Sequence, residues 1–542
     1  MYSKKTPQAP PIPRGGACNN CKRRKMRCDG QRPICGPCSR SSSLVDCQYG
    51  RTHADRLQEQ ISVLETRLEQ LQNGPNDSNT RPNPLVLHDP YASRNFPVLG
   101  HNTPTENELI EAFLPYTSQL GFFLNAKTLL DAFSNPMSDP TQRPTHALSA
   151  SMVLLGAYFS RYLIQNSSIT LELIETYLSK AVQATSLGLS EMHPQRILHT
   201  LQANIVIAHY FFLHNRVIKG KWHLDHAVSL VLSARLHQIR SSLVQFQFPN
   251  RNIQNVSEEG EQINAMWTVL ALNCLWSAAE GIPASIAYTT EQRRIDTPWP
   301  LDSGSYSETT LPPSLKASHT IQKFLSGIPD EGNSILALHA KATILFEQTT
   351  VFWKRYTDGT QPPSSAARTF TNTTESRDFQ SSYQTLSSLL THLLNNIPPV
   401  DGNQFRPYLE QDTKLRLLTI HIVVRVTIIR LQCTFSAYFP FRGPVLLEMA
   451  NGIMECLTKA DVDSIFLDPI MAVLLRAPAA IFMGAIRTYN RTGHNSAEVQ
   501  NHTNNLNQIK HLMARYSNGN PLMASKLLEI DQQLASLNNT MY

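Results

Sequence analysis

The sequence predicts an all-α chain in three parts: a small cysteine-rich N-terminal module, a short parallel coiled coil and a large helical domain. Three observations predict it. Six of the nine cysteines fall between residues 18 and 47. A leucine heptad follows them directly. From about residue 105 to 540 apolar residues recur at three- and four-residue intervals, with few alternating stretches that would read as strands.

At 542 residues the chain is long enough for more than one domain. Its 41% apolar and 17% charged residues suit a globular protein. The formal net charge of +6 is unevenly spread: residues 1–50 carry ten Lys or Arg against Asp29 and Asp46, a net +8, so the remainder is at −2. The basic character belongs to the N-terminal module, which calls for a polyanionic partner there. The opening MYSKKTPQAPPIPRGG has no apolar core and does not read as a signal peptide; residues 1–14 read as a disordered tail. The apolar runs 147–164 and 415–435 are interrupted by Arg161 and by Arg416, His421, Arg425 and Arg430. They read as buried helices and not as membrane spans. In the reducing compartment this implies, structural disulfides are rare, so the clustered thiols need another account.

Residues 15–50 form the first part. The spacing is Cys18-x2-Cys21-x6-Cys28-x6-Cys35-x2-Cys38-x8-Cys47, nearly a repeat of one half. Thiolates in Cys-x2-Cys pairs select zinc. One tetrahedral zinc leaves two thiols over, whereas two zincs need eight ligand positions. Six thiolates fill eight only if two of them bridge, and the half-repeat points to Cys18 and Cys35. One zinc then takes Cys18, Cys21, Cys28 and Cys35; the other takes Cys18, Cys35, Cys38 and Cys47. Closed four-thiolate sites are structural, and metal binding supplies the folding free energy of so small a segment. A mononuclear zinc knuckle or a thiol-rich metal buffer explains neither the repeat nor the basic run Lys22, Arg23, Arg24, Lys25 and Arg27.

The six-cysteine spacing, the run KRRKMR and Pro33 in the loop GQRPIC resemble the fungal binuclear zinc cluster (Zn2Cys6) transcription factors. The resemblance implies a short helix at each Cys-x2-Cys, the first with its C-terminal end in the DNA major groove. Lys25, fourth after the second cysteine, matches the family's base-contacting lysine, with Arg24 beside it, reading guanine in a CGG-type triplet. Guanine O6 and N7 are acceptors that suit such a donor. Lys22, Arg23, Arg27 and Arg40 are then phosphate contacts, which position without specifying. Read without its metal-locked helix, KRRK is a solvated charge run or a nuclear import signal.

The second part spans residues 51–73. Leu57, Ile61, Leu64, Leu68 and Leu71 step by four and three, a heptad seam with leucine at d, which favours two parallel strands. Gly74 and Pro75 end the helix. A homodimer coil is expected, the other reading being an amphipathic helix packed on its own domain. Residues 74–104, rich in Pro, Asn, Ser and Asp, read as a flexible linker.

The third part spans residues 105–540, opened by Thr105 and Glu108 as a capping pair. Helices are expected at 147–164, 171–189, 197–214, 222–239, 263–279, 335–355, 380–395, 413–435, 443–459, 469–489 and 505–534. GKWHLDHAVSLVLSARLHQI at 220–239, Trp267, GIPASI at 281–286 and IDTPWP at 295–300 are similar to the fungal-specific transcription factor, or middle homology, domain. No phosphate-binding glycine loop, nucleophile elbow or HExxH occurs. His223, Asp225 and His226, with His209 and His214 before them, are expected to be structural and not a catalytic or metal site. Cys274, Cys433 and Cys456 read as buried inert thiols, and Tyr210, Phe211, Phe212, Trp222, Trp267 and Trp276 as core. The expectation is a nuclear, dimeric, zinc-dependent regulator of RNA polymerase II transcription that binds double-stranded DNA and recruits transcription machinery or co-regulators. It is neither an enzyme nor a membrane protein. A DNA-tethered scaffold or repressor without intrinsic activation stands as the alternative, and a zinc-dependent enzyme behind it.

Overall fold

Thr105 begins the helical part as the sequence predicts. In the computed structural model its hydroxyl accepts from the Glu108 N–H at 3.3 Å, and the Glu108 carboxylate accepts from the Thr105 N–H at 2.8 Å. This reciprocal pair satisfies two donors that a helix start leaves open. The structure describes residues 17–40, 47, 104–134, 143–243, 256–288, 290, 293–301, 311–312, 314–357, 374–402, 410–433, 443–462, 466–492 and 496–539. The chain divides into two compact units, Met1–Ser93 and Arg94–Tyr542. The tail at 1–14, the heptad residues Leu57, Ile61, Leu64, Leu68 and Leu71, and nearly all of the linker at 74–104 lie outside the described residues.

The first unit contributes α1 (Asn19–Arg23) and α2 (Gly36–Arg40). The second contributes, in order, α3 (Glu106–Phe113), a 3₁₀ turn (Leu114–Leu120), α4 (Ala126–Ser134), α5 (His146–Tyr162), α6 (Leu171–Leu187), α7 (Arg196–Leu213), α8 (Val217–Ser233) and α9 (Val256–Ala279). It continues with α10 (Thr320–Leu325), α11 (Ile335–Thr357), α12 (Thr374–Asn396), α13 (Gln411–Cys433), α14 (Gly443–Lys459), α15 (Met471–Leu474), α16 (Arg476–Thr492), α17 (Ser496–Tyr516) and α18 (Pro521–Asn539). Among the described residues the only β-pairing is an isolated bridge between Ser241 and Ala317. The fold class is all-α.

Neighbouring helices pack in pairs: α3 on α5, α5 on α6, α7 on α8, α9 on α11, α11 on α13 and α16 on α17. One continuous apolar core runs through them, and α7 and α13 are buried along nearly their whole length. Phe212 of α7 stacks on Trp276 of α9, ring centroids 3.6 Å apart. Trp267 stacks on Trp299 at 4.2 Å and donates its indole N–H to the Pro298 carbonyl at 2.7 Å. The IDTPWP segment is thereby fastened to α9. Its buried Asp296 accepts from the Ser241 hydroxyl at 2.7 Å and the His319 N–H at 2.9 Å.

The structure corrects several sequence expectations. The run 505–534 is two helices, because Pro521 starts α18 and the Asn520 side chain caps it by accepting from the Met523 N–H at 3.1 Å. Likewise 469–489 is split into α15 and α16. Helices α8, α9, α12 and α17 begin several residues earlier than the apolar periodicity does; the first turns of α9, α12 and α17 are largely polar and carry no apolar signal. Trp222 is 61% exposed and not core. Cys433 is exposed and not buried. Residues 471–490 are long and apolar enough to cross a bilayer, yet Ala479 and Phe482 there are wholly enclosed by the helical core.

Candidate metal centre and nucleic-acid interface

Helix α1 starts at Cys18, whose sulfur accepts from the Cys21 N–H at 3.4 Å. It ends after one and a half turns in a left-handed stop. Lys25 sits at φ 53°, its N–H bonded to the Lys22 carbonyl at 3.2 Å, while the Met26 N–H reaches the Cys21 carbonyl at 3.0 Å. This pair of bonds is the Schellman closure, in which the left-handed position is usually glycine. A lysine there turns the chain out of the helix with its side chain in solvent. Residues 22 to 27 are all exposed, between the buried Cys21 and Cys28.

Helix α2 is positioned by Asp29. Its carboxylate accepts from the Gly36 N–H at 2.9 and 3.0 Å and from the Gln31 N–H at 3.3 Å. A carboxylate on the first N–H groups of a helix satisfies orphan donors and complements the helix dipole. A Cβ at Gly36 would collide with this carboxylate. Arg40, exposed at the end of α2, donates to the Gly36 carbonyl at 3.3 Å.

Between the two helices the six sulfurs converge. They form two four-sulfur groups, Cys18, Cys21, Cys28 and Cys35, then Cys18, Cys35, Cys38 and Cys47, with all sulfurs in each group within 4.8 Å of one another. Cys18 and Cys35 belong to both, as the half-repeat predicts. The sulfur of Cys18 lies 3.7 Å from those of Cys35 and Cys38, and that of Cys21 lies 3.6 Å from that of Cys35. A zinc–sulfur bond of about 2.3 Å gives a tetrahedral edge of about 3.8 Å, so the cage has the dimensions of two zinc sites. Five of the cysteines are buried and Cys47 is half-buried; the Cys35 N–H supports the Cys47 sulfur at 3.3 Å. Asn20, 3% exposed, donates its amide to the Cys38 sulfur at 3.4 Å.

The thiols cannot share this space as anions without cations. Burial pushes the Cys21 thiol up to about 12 and Cys35 further still. At Cys18 burial pushes the same way but is outweighed by the Cys21 N–H and the neighbouring sulfhydryls, which bring it down to about 6. Divalent metal removes that conflict, because it binds all six as thiolates.

Members of the histidine cluster of the helical unit are held by contacts within the fold. His223 Nδ1 is 3.0 Å from Asn204 Oδ1 and its ring stacks on Phe211. Asp225 accepts from the Ser285 hydroxyl at 2.5 Å and the Asn273 amide at 3.3 Å, tying GIPASI to α8 and α9. His209 Nδ1 is bonded to the carbonyl of Ile205, one turn back on α7, at 2.9 Å. Sequence reasoning missed Asp29, Gly36 and Asn20. Only the Asp in the inter-helix loop could have signalled a cap.

A sulfur cage on two one-turn helices, with a cationic turn beside it, defines a zinc-cluster nucleic-acid-binding module. Comparison with known families agrees: residues 16–55 match the fungal Zn(2)-Cys(6) binuclear cluster domain, and residues 110–422 match the fungal specific transcription factor domain. The chain belongs to this family of transcription regulators, and its cluster binds two zinc ions. Over 63 residues, 10% of the chain, it is 41% identical to citrinin biosynthesis transcriptional activators of Monascus ruber and Monascus purpureus, covering 12% and 11% of those proteins. Over 128 residues, 20% of the chain, it is 29% identical to the zinc finger transcription factor YRR1 of Saccharomyces cerevisiae, covering 15% of it. The matched stretches are thus under a sixth of each relative's length. No solved structure matches the chain.

Proposed function

We propose that the protein acts in the nucleus as a sequence-specific, dimeric DNA-binding regulator. Each cluster reads a CGG-type triplet in the major groove. Lys25, with Arg24 beside it, contacts the guanine edge; Lys22, Arg23, Arg27 and Arg40 contact phosphates. Zinc supplies the cross-links that make so short a helix rigid, and the residues of the chain do the reading. The observation that carries this is the left-handed closure at Lys25, which presents a cation from a backbone fixed at Cys21 on one side and Cys28 on the other. Leu57, Ile61, Leu64, Leu68 and Leu71 supply the dimer seam, and dimer geometry sets half-site separation. The helical unit recruits transcription machinery or co-regulators, and the family offers no catalytic role for it. The names of the relatives, transcriptional activators, favour activation over a scaffold or repressor without intrinsic activity.

Selection of bound sequences from a random duplex pool by the full chain tests this. Enrichment of paired CGG-type triplets at one spacing is expected, and a lone triplet or no enrichment refutes it. Four neutralised phosphates per subunit give a log–log salt slope near about −7 for the dimer; a slope near zero excludes groove binding.

A further inference from the structure

Two divalent ions and six thiolates set four positive charges against six negative ones in the cage, a net −2. That charge is not spread evenly. The bridging sulfurs of Cys18 and Cys35 share their electrons between two ions, whereas Cys21, Cys28, Cys38 and Cys47 each bind one ion and keep more of theirs. A terminal thiolate of this kind is a strong hydrogen-bond acceptor, and metal centres depend on donors to such ligands. Cys47 is half-buried and open to solvent. Cys38, the other terminal ligand of the same ion, is 1% exposed. Its donor has to come from the protein.

Asn20 supplies one. Its amide nitrogen lies 3.4 Å from the Cys38 sulfur. Chemistry fixes the orientation: a thiolate only accepts, so an amide oxygen in that place would meet a second lone pair. Turned this way, the amide oxygen is buried with no hydrogen-bond partner. An apolar side chain would fill the space without that penalty. Packing alone therefore does not account for an asparagine here, and the bond to sulfur does. Cys18 and Cys47 also receive N–H groups, from Cys21 at 3.4 Å and Cys35 at 3.3 Å, but these are main-chain donors that any side chain leaves in place. The Asn20 bond joins the two helices as well. Asn20 stands on α1 and Cys38 on α2, and the Asn20 carbonyl accepts from the Arg24 N–H at 3.0 Å where α1 closes.

We propose that Asn20 is a positioning residue of the metal centre. Its amide N–H stabilises the Cys38 thiolate, so that the ion bound by Cys18, Cys35, Cys38 and Cys47 is retained and the Cys38 sulfur is shielded from electrophiles. This rests on the zinc cluster and not on base reading by Lys25, which a negative result here leaves intact.

The test uses the full zinc-loaded chain. Asn20→Leu keeps the volume and removes the donor. A chelator, followed by native mass spectrometry, should take the first zinc at least about tenfold faster than from the parent. N-ethylmaleimide, mapped by peptide mass spectrometry, should modify Cys38 ahead of Cys21 and Cys28 in the variant and not in the parent. With cobalt(II) in place of zinc, the sulfur-to-cobalt charge-transfer band should move to longer wavelength, because a thiolate that loses a hydrogen bond holds its electrons less tightly. A residue that only packs would not move that band. Asn19→Leu, at the exposed neighbouring position of α1, should change none of these readouts. An unmoved band with unchanged zinc release in Asn20→Leu, or equal changes in Asn19→Leu, would overturn the proposal. Should Asn20→Leu not load metal, the unaltered chain decides: with cadmium-113 bound, a side-chain asparagine amide proton should couple to the metal nucleus, and absence of that coupling overturns the proposal.

Discussion

Lys25→Gly separates a structural role of this residue from the base-reading role proposed for it. At φ 53° an L-residue is strained by roughly 1–2 kcal/mol. Glycine relieves that strain but restores about 0.5–1 kcal/mol of unfolded-chain entropy. The variant should therefore fold within about 1 kcal/mol of the parent, with the two closing bonds to Lys22 and Cys21 kept. Its DNA behaviour should change far more. A good bidentate base contact contributes about 1–3 kcal/mol of discrimination, or roughly five- to 150-fold per half-site. Zinc retention is read by competition with a chelator, and discrimination by anisotropy on matched and single-mismatch duplexes at fixed salt. Unchanged discrimination would remove base reading from Lys25. Loss of zinc would show that the lysine serves the fold instead.

Arg27→Ala should weaken binding to matched and mismatched duplexes alike and lower the salt slope by about one; an effect confined to one base pair would reverse the assignment. Gly36→Ala displaces the Asp29 carboxylate from the start of α2 and should cost the cluster about 1–2 kcal/mol, seen as zinc loss at lower chelator concentration. In the helical unit a Cβ at Gly156 would collide with the Leu109 carbonyl, so Gly156→Ala should prise α3 from α5 and lower the melting temperature by several degrees. Acidification provides a further check. Burial lowers His199 to about 3 and His209, His223, His339 and His421 to about 4. Below the unfolded value of about 6.5 the unfolded chain binds protons that the folded one refuses, so stability falls with pH. Glu261 and Asp468, raised to about 7, act oppositely. Five imidazoles outweigh two carboxyls, and the melting temperature should drop between pH 7 and pH 5; a rise would contradict these burials.

The cage is the most legible feature of the chain. Ligand type and spacing alone force a bridged pair, and the sulfurs of Cys18 and Cys35 stand in both groups. The start of the helical part was readable at Thr105, where a capping pair announces it. Trp222 was misplaced because periodicity reports that a helix has an apolar face but not which tryptophan lies on it. Cys433 was misplaced for the same reason, at the exposed end of a helix whose middle is buried. The role of Asp29 depends on a loop bringing its carboxylate to Gly36, seven residues away, and no spacing rule encodes that approach.

Residue chemistry by itself determined the two-metal stoichiometry, the basic turn and the all-helical class. These follow from ligand count, charge and the 3.6-residue period, which are properties of short stretches. Only the tertiary structure decided the left-handed stop at Lys25, the docking of IDTPWP on α9, and the approach of Asn20 to the Cys38 sulfur. Those depend on where helices distant in sequence come to lie, and packing between helices is set by the fit of whole faces and not by any local pattern.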